Sequence, residues 1–219
     1  MSKIVVGELE GPSTTSNKIT IATGSQLDLV GSTGTTTIDA ADITAGSLPS
    51  SRLPAGTVLQ VKQTLLNVGS SQSVPAETLT DVTDLNISIT PISTSSKFLI
   101  SMDWTGESSS NVQYNQTWRL KRTVSTVVTY PGISTSPGNR NVGLGITVQG
   151  YWNADAGSTL DKASFMYLDS PSASTEITYT VTMQDTDAIT LYNQRTVSDT
   201  DHFDYERAVS QITVMEISG

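Results

Sequence analysis

The chain has 219 residues, a formal net charge of −9 and no cysteine. The missing cysteines exclude a disulfide framework, a thiolate metal centre and a cysteine nucleophile, and 12 Lys and Arg against 21 Asp and Glu argue against nucleic acid or an anionic membrane surface as a partner. Only 36% of residues are hydrophobic and 15% charged. Ser and Thr fill the difference with 30 and 33 copies, a balance that favours short strands and polar turns over a disordered chain, which would carry more net charge.

From the start, Met1–Ser13 holds one Lys and the apolar triplet Ile4, Val5, Val6. This is too short for a signal peptide, and no apolar run is long enough to span a bilayer. The expectation is synthesis in a cytoplasm, without membrane insertion. Residues 1–56 read as an extended anchor, shaft and neck. Ile19 and Ile21, then Leu27, Leu29 and Val30, then Ile38 and Ile43 form short alternating sets punctuated by Gly24, Gly31 and Gly34. So few apolar residues cannot build a core alone, and such strands need further copies or a partner surface. In 42–56, Pro49 and Pro54 stiffen a neck whose Leu48 and Leu53 could meet around an axis.

Residues 57–219 alternate more regularly and read as a head domain. Strands are expected at 57–66, 84–90, 97–106, 112–122, 142–151, 162–169, 176–185, 188–194 and 208–218. Tyr114, Trp118 and Leu120 share one parity, as do Ile177, Tyr179, Val181 and Met183. In the last strand both parities carry apolar residues, and its inward face stays open. About nine strands separated by Ser, Gly, Pro and Asn turns predict an all-β fold, an antiparallel β-sandwich of jelly-roll type.

Three segments carry a resemblance: 43-ITAGSLPSSRLPAGTVLQV-61, 97-KFLISMDW-104 after 90-TPISTSS-96, and the terminal 210-SQITVMEI-217. With the Ser/Thr/Gly-rich start, this order resembles short fibre and virion appendage proteins of tailed bacteriophages, common in phages of aquatic bacteria. The resemblance implies a homotrimer in the virion, attached through its N-terminus to capsid or tail proteins, with an outward β head. It leaves tail and capsid open, so a tail fibre binding a host-surface glycan or protein stands beside a capsid decoration or cement protein. A free carbohydrate-binding module is a third reading. Ile4, Val5 and Val6 would be the particle anchor, adding a strand to a virion protein.

Residues that could carry chemistry are few. The single histidine, His202, lies in 199-DTDHFDYE-206. Asp199, Asp201 and Asp204 are weak candidates for a hard cation, in a loop that lacks the glycine turn and closing glutamate of a calcium-binding helix–loop–helix. No G-x-S-x-G elbow exists, and there is no room for the long body of a glycan-cleaving spike. The expectation is therefore no enzyme and no cofactor. Trp104 and Trp118 read as core. Tyr151 and Trp152 open a polar loop and could contact a receptor. The N-x-S/T matches at Asn86 and Asn115 carry no weight without secretion. Arg119, Lys121 and Arg122 read as a small outward basic patch protecting a strand.

Overall fold

The chain divides into Met1–Ser47 and Leu48–Gly219. The computed structural model describes residues 52–109, 115–133, 138–149 and 157–219. Ile4, Val5, Val6, Leu48, Tyr114, Tyr151 and Trp152 lie outside the described residues.

The strands follow in order: β1 (Val58–Leu66), β2 (Ser70–Val74), β3 (Thr80–Ile89), β4 (Lys97–Ser108), β5 (Thr117–Val124), β6 (Val127–Thr129), β7 (Gly145–Val148), β8 (Asp161–Asp169), β9 (Ile177–Gln184), β10 (Ile189–Asn193) and β11 (Ser210–Ile217). Among the described residues there is no α-helix, and every strand pairing is antiparallel. The all-β, antiparallel fold matches the alternation of the sequence.

One sheet runs β1–β11–β4–β8, with β10 taking over beside β4 where β11 ends and β2 outside β10. The other runs β3–β9–β5, with β6 on β5. β7 belongs to both, pairing Thr147 with Ala163 of β8 and Ile146 with Thr117 of β5. It joins the sheets along one side. On the other side the edges β1 and β3 face each other. Lys62 Nζ donates to Ser88 O at 3.0 Å and Gln60 Nε2 to Thr90 O at 2.8 Å. Side chains thus engage carbonyls that an open edge would present to another chain, and the sandwich closes nearly into a barrel.

The core lies between the sheets. Ile100, Met102 and Trp104 of β4 and Ile212 and Val214 of β11 meet Trp118 and Leu120 of β5 and Ile177, Tyr179, Val181 and Met183 of β9, all fully buried. The Trp104 and Trp118 rings tilt against each other with centroids 4.7 Å apart. Their N–H groups are satisfied by Asn193 Oδ1 at 2.8 Å and Thr147 Oγ1 at 2.9 Å, as buried indoles require. For β11, Ser210, Ile212, Val214 and Glu216 point inward, which resolves the face left open by its sequence.

Three details differ from the sequence-based expectation. The described residues form eleven strands rather than nine, because β2 and β6 have no clear signal of their own. β2, Ser-Ser-Gln-Ser-Val, has one apolar residue, and it is a strand because β10 supplies a register from Val74↔Ile189 to Ser70↔Asn193. The strand expected at 112–122 has its described start at Thr117. Arg122 is not part of an outward patch. It shares the parity of Trp118 and Leu120, and its guanidinium reaches Asp169 of β8 at 2.7 and 2.8 Å, an ion pair linking the two sheets.

The two outer faces contrast. On the β3–β9–β5 face the rows are Ser88–Thr178–Thr123, Asn86–Thr180–Lys121 and Asp81–Thr182–Arg119, polar throughout. On the β1–β11–β4–β8 face one row reads Val61–Met215–Leu99–Leu168. The next reads Gln63–Thr213–Ser101–Met166.

Candidate functional site

At the end of the sandwich where β5 begins and β9 finishes, an open cleft of about 720 Å³ lies between the segment 139–141, Asn115 and the β9–β10 loop. Its centre is Arg119, which alternation places on the outer side of β5. Arg119 Nε donates to Val142 O at 2.7 Å, and its Nη2 donates to Asn141 Oδ1 at 3.1 Å and Gln184 Oε1 at 3.0 Å. Asn141 Oδ1 also accepts from Thr117 Oγ1 at 2.7 Å, and its amide donates to Asn115 O at 3.2 Å. Asn115 Nδ2 reaches Thr186 Oγ1 at 3.1 Å, and Gln184 Nε2 reaches Glu77 O at 2.7 Å. The walls are cross-tied without a ligand, which lowers the ordering cost of binding.

Beneath the cleft a buried chain of polar groups runs inward. Trp118 Nε1 donates to Thr147 Oγ1, Thr147 Oγ1 to Gln116 Oε1 at 2.7 Å, and Gln116 Nε2 to Asp185 Oδ2 at 3.0 Å. Asp185 Oδ1 accepts from Asp187 N at 3.0 Å. Each member is engaged. The cleft offers fixed amide and guanidinium donors and acceptors beside the exposed Ile146. That chemistry recognises hydroxyl- or carbonyl-rich ligands.

The acidic loop lies elsewhere. Asp199 sits between two guanidiniums, 2.6 Å from Arg207 Nη2 and 3.3 Å from Arg195 Nε. Arg195 and Arg207 are themselves bridge partners, so Asp199 holds two like charges together. Asp201 is exposed, and Asp204 pairs with His202 at 3.2 Å on the surface. Among the described residues no three His, Cys, Asp or Glu side chains are grouped as metal ligands. Leu53 is half-buried where the chain runs into β1.

Reading along the sequence overlooked two features. Arg119 looked like solvated charge, although the run Asn139-Arg140-Asn141 was a signal for a polar recognition surface. Phe203, inside the acidic loop, is 99% exposed, an aromatic as open to contact as the sequence suggests for Tyr151 and Trp152. No family model matches the chain, and no curated protein matches it either.

Proposed function

We propose that this chain is a non-enzymatic structural protein of a bacteriophage virion. It forms a homotrimeric, fibre-like appendage, anchored to the particle through Ile4, Val5 and Val6, and presents the sandwich head for attachment to a host surface. The observation that supports this reading is the preorganised polar cleft around Arg119, set at one end of a closed, rigid sandwich. A glycan hydroxyl or a protein carbonyl suits its amides and guanidinium. The exposed Phe203 offers an apolar contact on another loop.

Two experiments test the reading. Antibodies to the head should label purified particles, and deleting residues 1–10 should remove the label while leaving a folded trimer. Labelled full-length protein should bind host cells, and Asn139→Ala with Arg140→Ala should weaken that binding by about tenfold, as for loss of a few good polar contacts. Particles without the protein would end the virion reading. A monomer with glycan affinity would favour the free binding module. A capsid decoration protein is the second reading, and the apolar outer row Val61–Met215–Leu99–Leu168 favours it, because such a face could lie on a shell. Hundreds of copies per particle would select it.

A further inference from the structure

We propose that the outer face of the β1–β11–β4–β8 sheet is covered by a second copy of this chain, forming the contact between heads in the assembly. The inference rests on the homotrimeric reading and names the surface that it uses.

The apolar row crosses four strands in register: Val61 pairs with Met215, Met215 with Leu99, and Leu99 with Leu168. Val58 and Ile217 lie beside one end, Met166 lies in the adjacent row, and Leu65 lies one row further along β1. Val61, Leu65, Met166 and Leu168 are 55%, 52%, 66% and 48% exposed. The combined apolar area is on the order of 500 Å², at the upper end of what a monomer leaves open. A stable contact takes about 800 Å² from each partner, roughly 60% of it apolar. This face therefore has the size and composition of one side of such an interface.

Four polar side chains on this face are already paired with one another. Gln63 Nε2 donates to Gln211 Oε1 at 2.8 Å, Gln211 Nε2 to Asp103 Oδ2 at 3.2 Å, and Lys162 Nζ meets Asp103 Oδ1 at 3.1 Å. This rail across β1, β11, β4 and β8 can be covered with few hydrogen bonds lost to water, which removes the main penalty for burying polar surface. Among the described residues the opposite face of the sandwich has no comparable row; its central strand shows Thr178, Thr180 and Thr182. The occupant is argued from chain connectivity. Residues 1–57 precede β1 in the chain, and β1 is the edge strand that carries Val58, Val61 and Leu65. If three N-terminal segments share an axis, the strands that they feed are drawn to that axis, and this face with them. A chain with net charge −9 repels its copies, so the contact must be apolar, and this is the larger apolar face described.

The test uses the full-length chain, whose lack of cysteine makes any introduced thiol unique. Met166→Cys is placed on the face, and Asn86→Cys on the opposite face serves as control. Molar mass is read by light scattering and cross-linking with a flexible bis-maleimide on a denaturing gel. The expected result is a mass near three times 23.3 kDa, with cross-linking of the Met166→Cys variant at least about tenfold above the control, since neighbouring thiols act at millimolar effective concentration. Leu168→Cys should repeat it and guards against a fault peculiar to one variant. A trimer in which neither face variant cross-links overturns this inference and leaves the homotrimeric reading standing. A monomer overturns both, whether the face is open, shielded by residues 1–51 of its own chain, or covered only on particles.

Discussion

Tyr179 sits fully buried on β9 and donates its phenol proton to Asp169 Oδ2 at 2.8 Å. Burial first, and the Asp169 carboxylate second, raise its pKa far above the ordinary 10.0. Below about pH 10 both folded and unfolded chains hold this proton, and the contribution of the phenol to stability is complete. Above it the unfolded chain releases the proton and the folded chain does not, so stability falls by about 1.4 kcal/mol per pH unit from this group. Urea unfolding between pH 9 and 11.5 should show Tyr179→Phe with a slope shallower by that amount. An unchanged slope would mean that the phenol ionises in the folded protein. Glu216 is a second residue that the fold uses inwardly. It is fully buried on β11, accepts from Ile92 N at 2.7 Å, and takes the Gln60 amide. Glu216→Leu leaves those donors unpaired and should cost about 2–4 kcal/mol, read as a lower urea midpoint with unchanged slope. Glu216→Gln, which keeps an acceptor, should lose less. The alternation of its strand does not single out Glu216. Only the β3–β4 loop folding over it gives it a use.

Among the elements, β4 carries the most constraints, since it pairs with β8 along one side and with β11 and then β10 along the other. Gly106 lies at the handover, opposite both Asn193 and Asp161. A Cβ there would stand 2.2 Å from Tyr192 O and 2.5 Å from Trp104 Cζ2. Gly106→Ala must therefore push the β10 backbone away or displace the indole, and should cost about 2 kcal/mol or more, measured by thermal unfolding. A cost under about 0.5 kcal/mol would show that β10 is not held so closely. Much at this scale was legible beforehand. β9 alternates cleanly, and β4 and β8 place a core residue at every second position over most of their length, because one face of each is core, and the expected bounds of all three differ from those observed by two residues or fewer. β2 was illegible because its strand character comes from β10, a partner more than a hundred residues away. Arg122 was misread for a related reason: a charged residue at an inward position makes sense only once Asp169 stands opposite it.

For the whole molecule, the proposed assembly makes stability a function of concentration. A folded trimer in equilibrium with unfolded chains should gain about 2–4 °C in Tm for each tenfold rise in protein concentration, measured on the full-length chain by scanning calorimetry. A Tm independent of concentration would argue for folding as a single chain. The topology also predicts slow folding, because β1 pairs with β11 and β2 with β10 across most of the head. Stopped-flow tryptophan fluorescence should follow the burial of Trp104 and Trp118 over milliseconds to seconds.

Composition and alternation by themselves determined the class of this protein: short antiparallel strands, a core of their inward parity, and no cysteine chemistry. They could do so because the period of two and the turn residues are local properties of the chain. Which faces meet, which edge is capped, and which polar side chains converge depend on pairings between distant strands, and only the tertiary structure decided them. The cleft around Arg119 joins residues 115–119, 139–142 and 184–186. The apolar row joins residues 61, 99, 168 and 215. The apolar row has no local signature and the cleft only the run 139–141, because each exists only where separate segments are brought together.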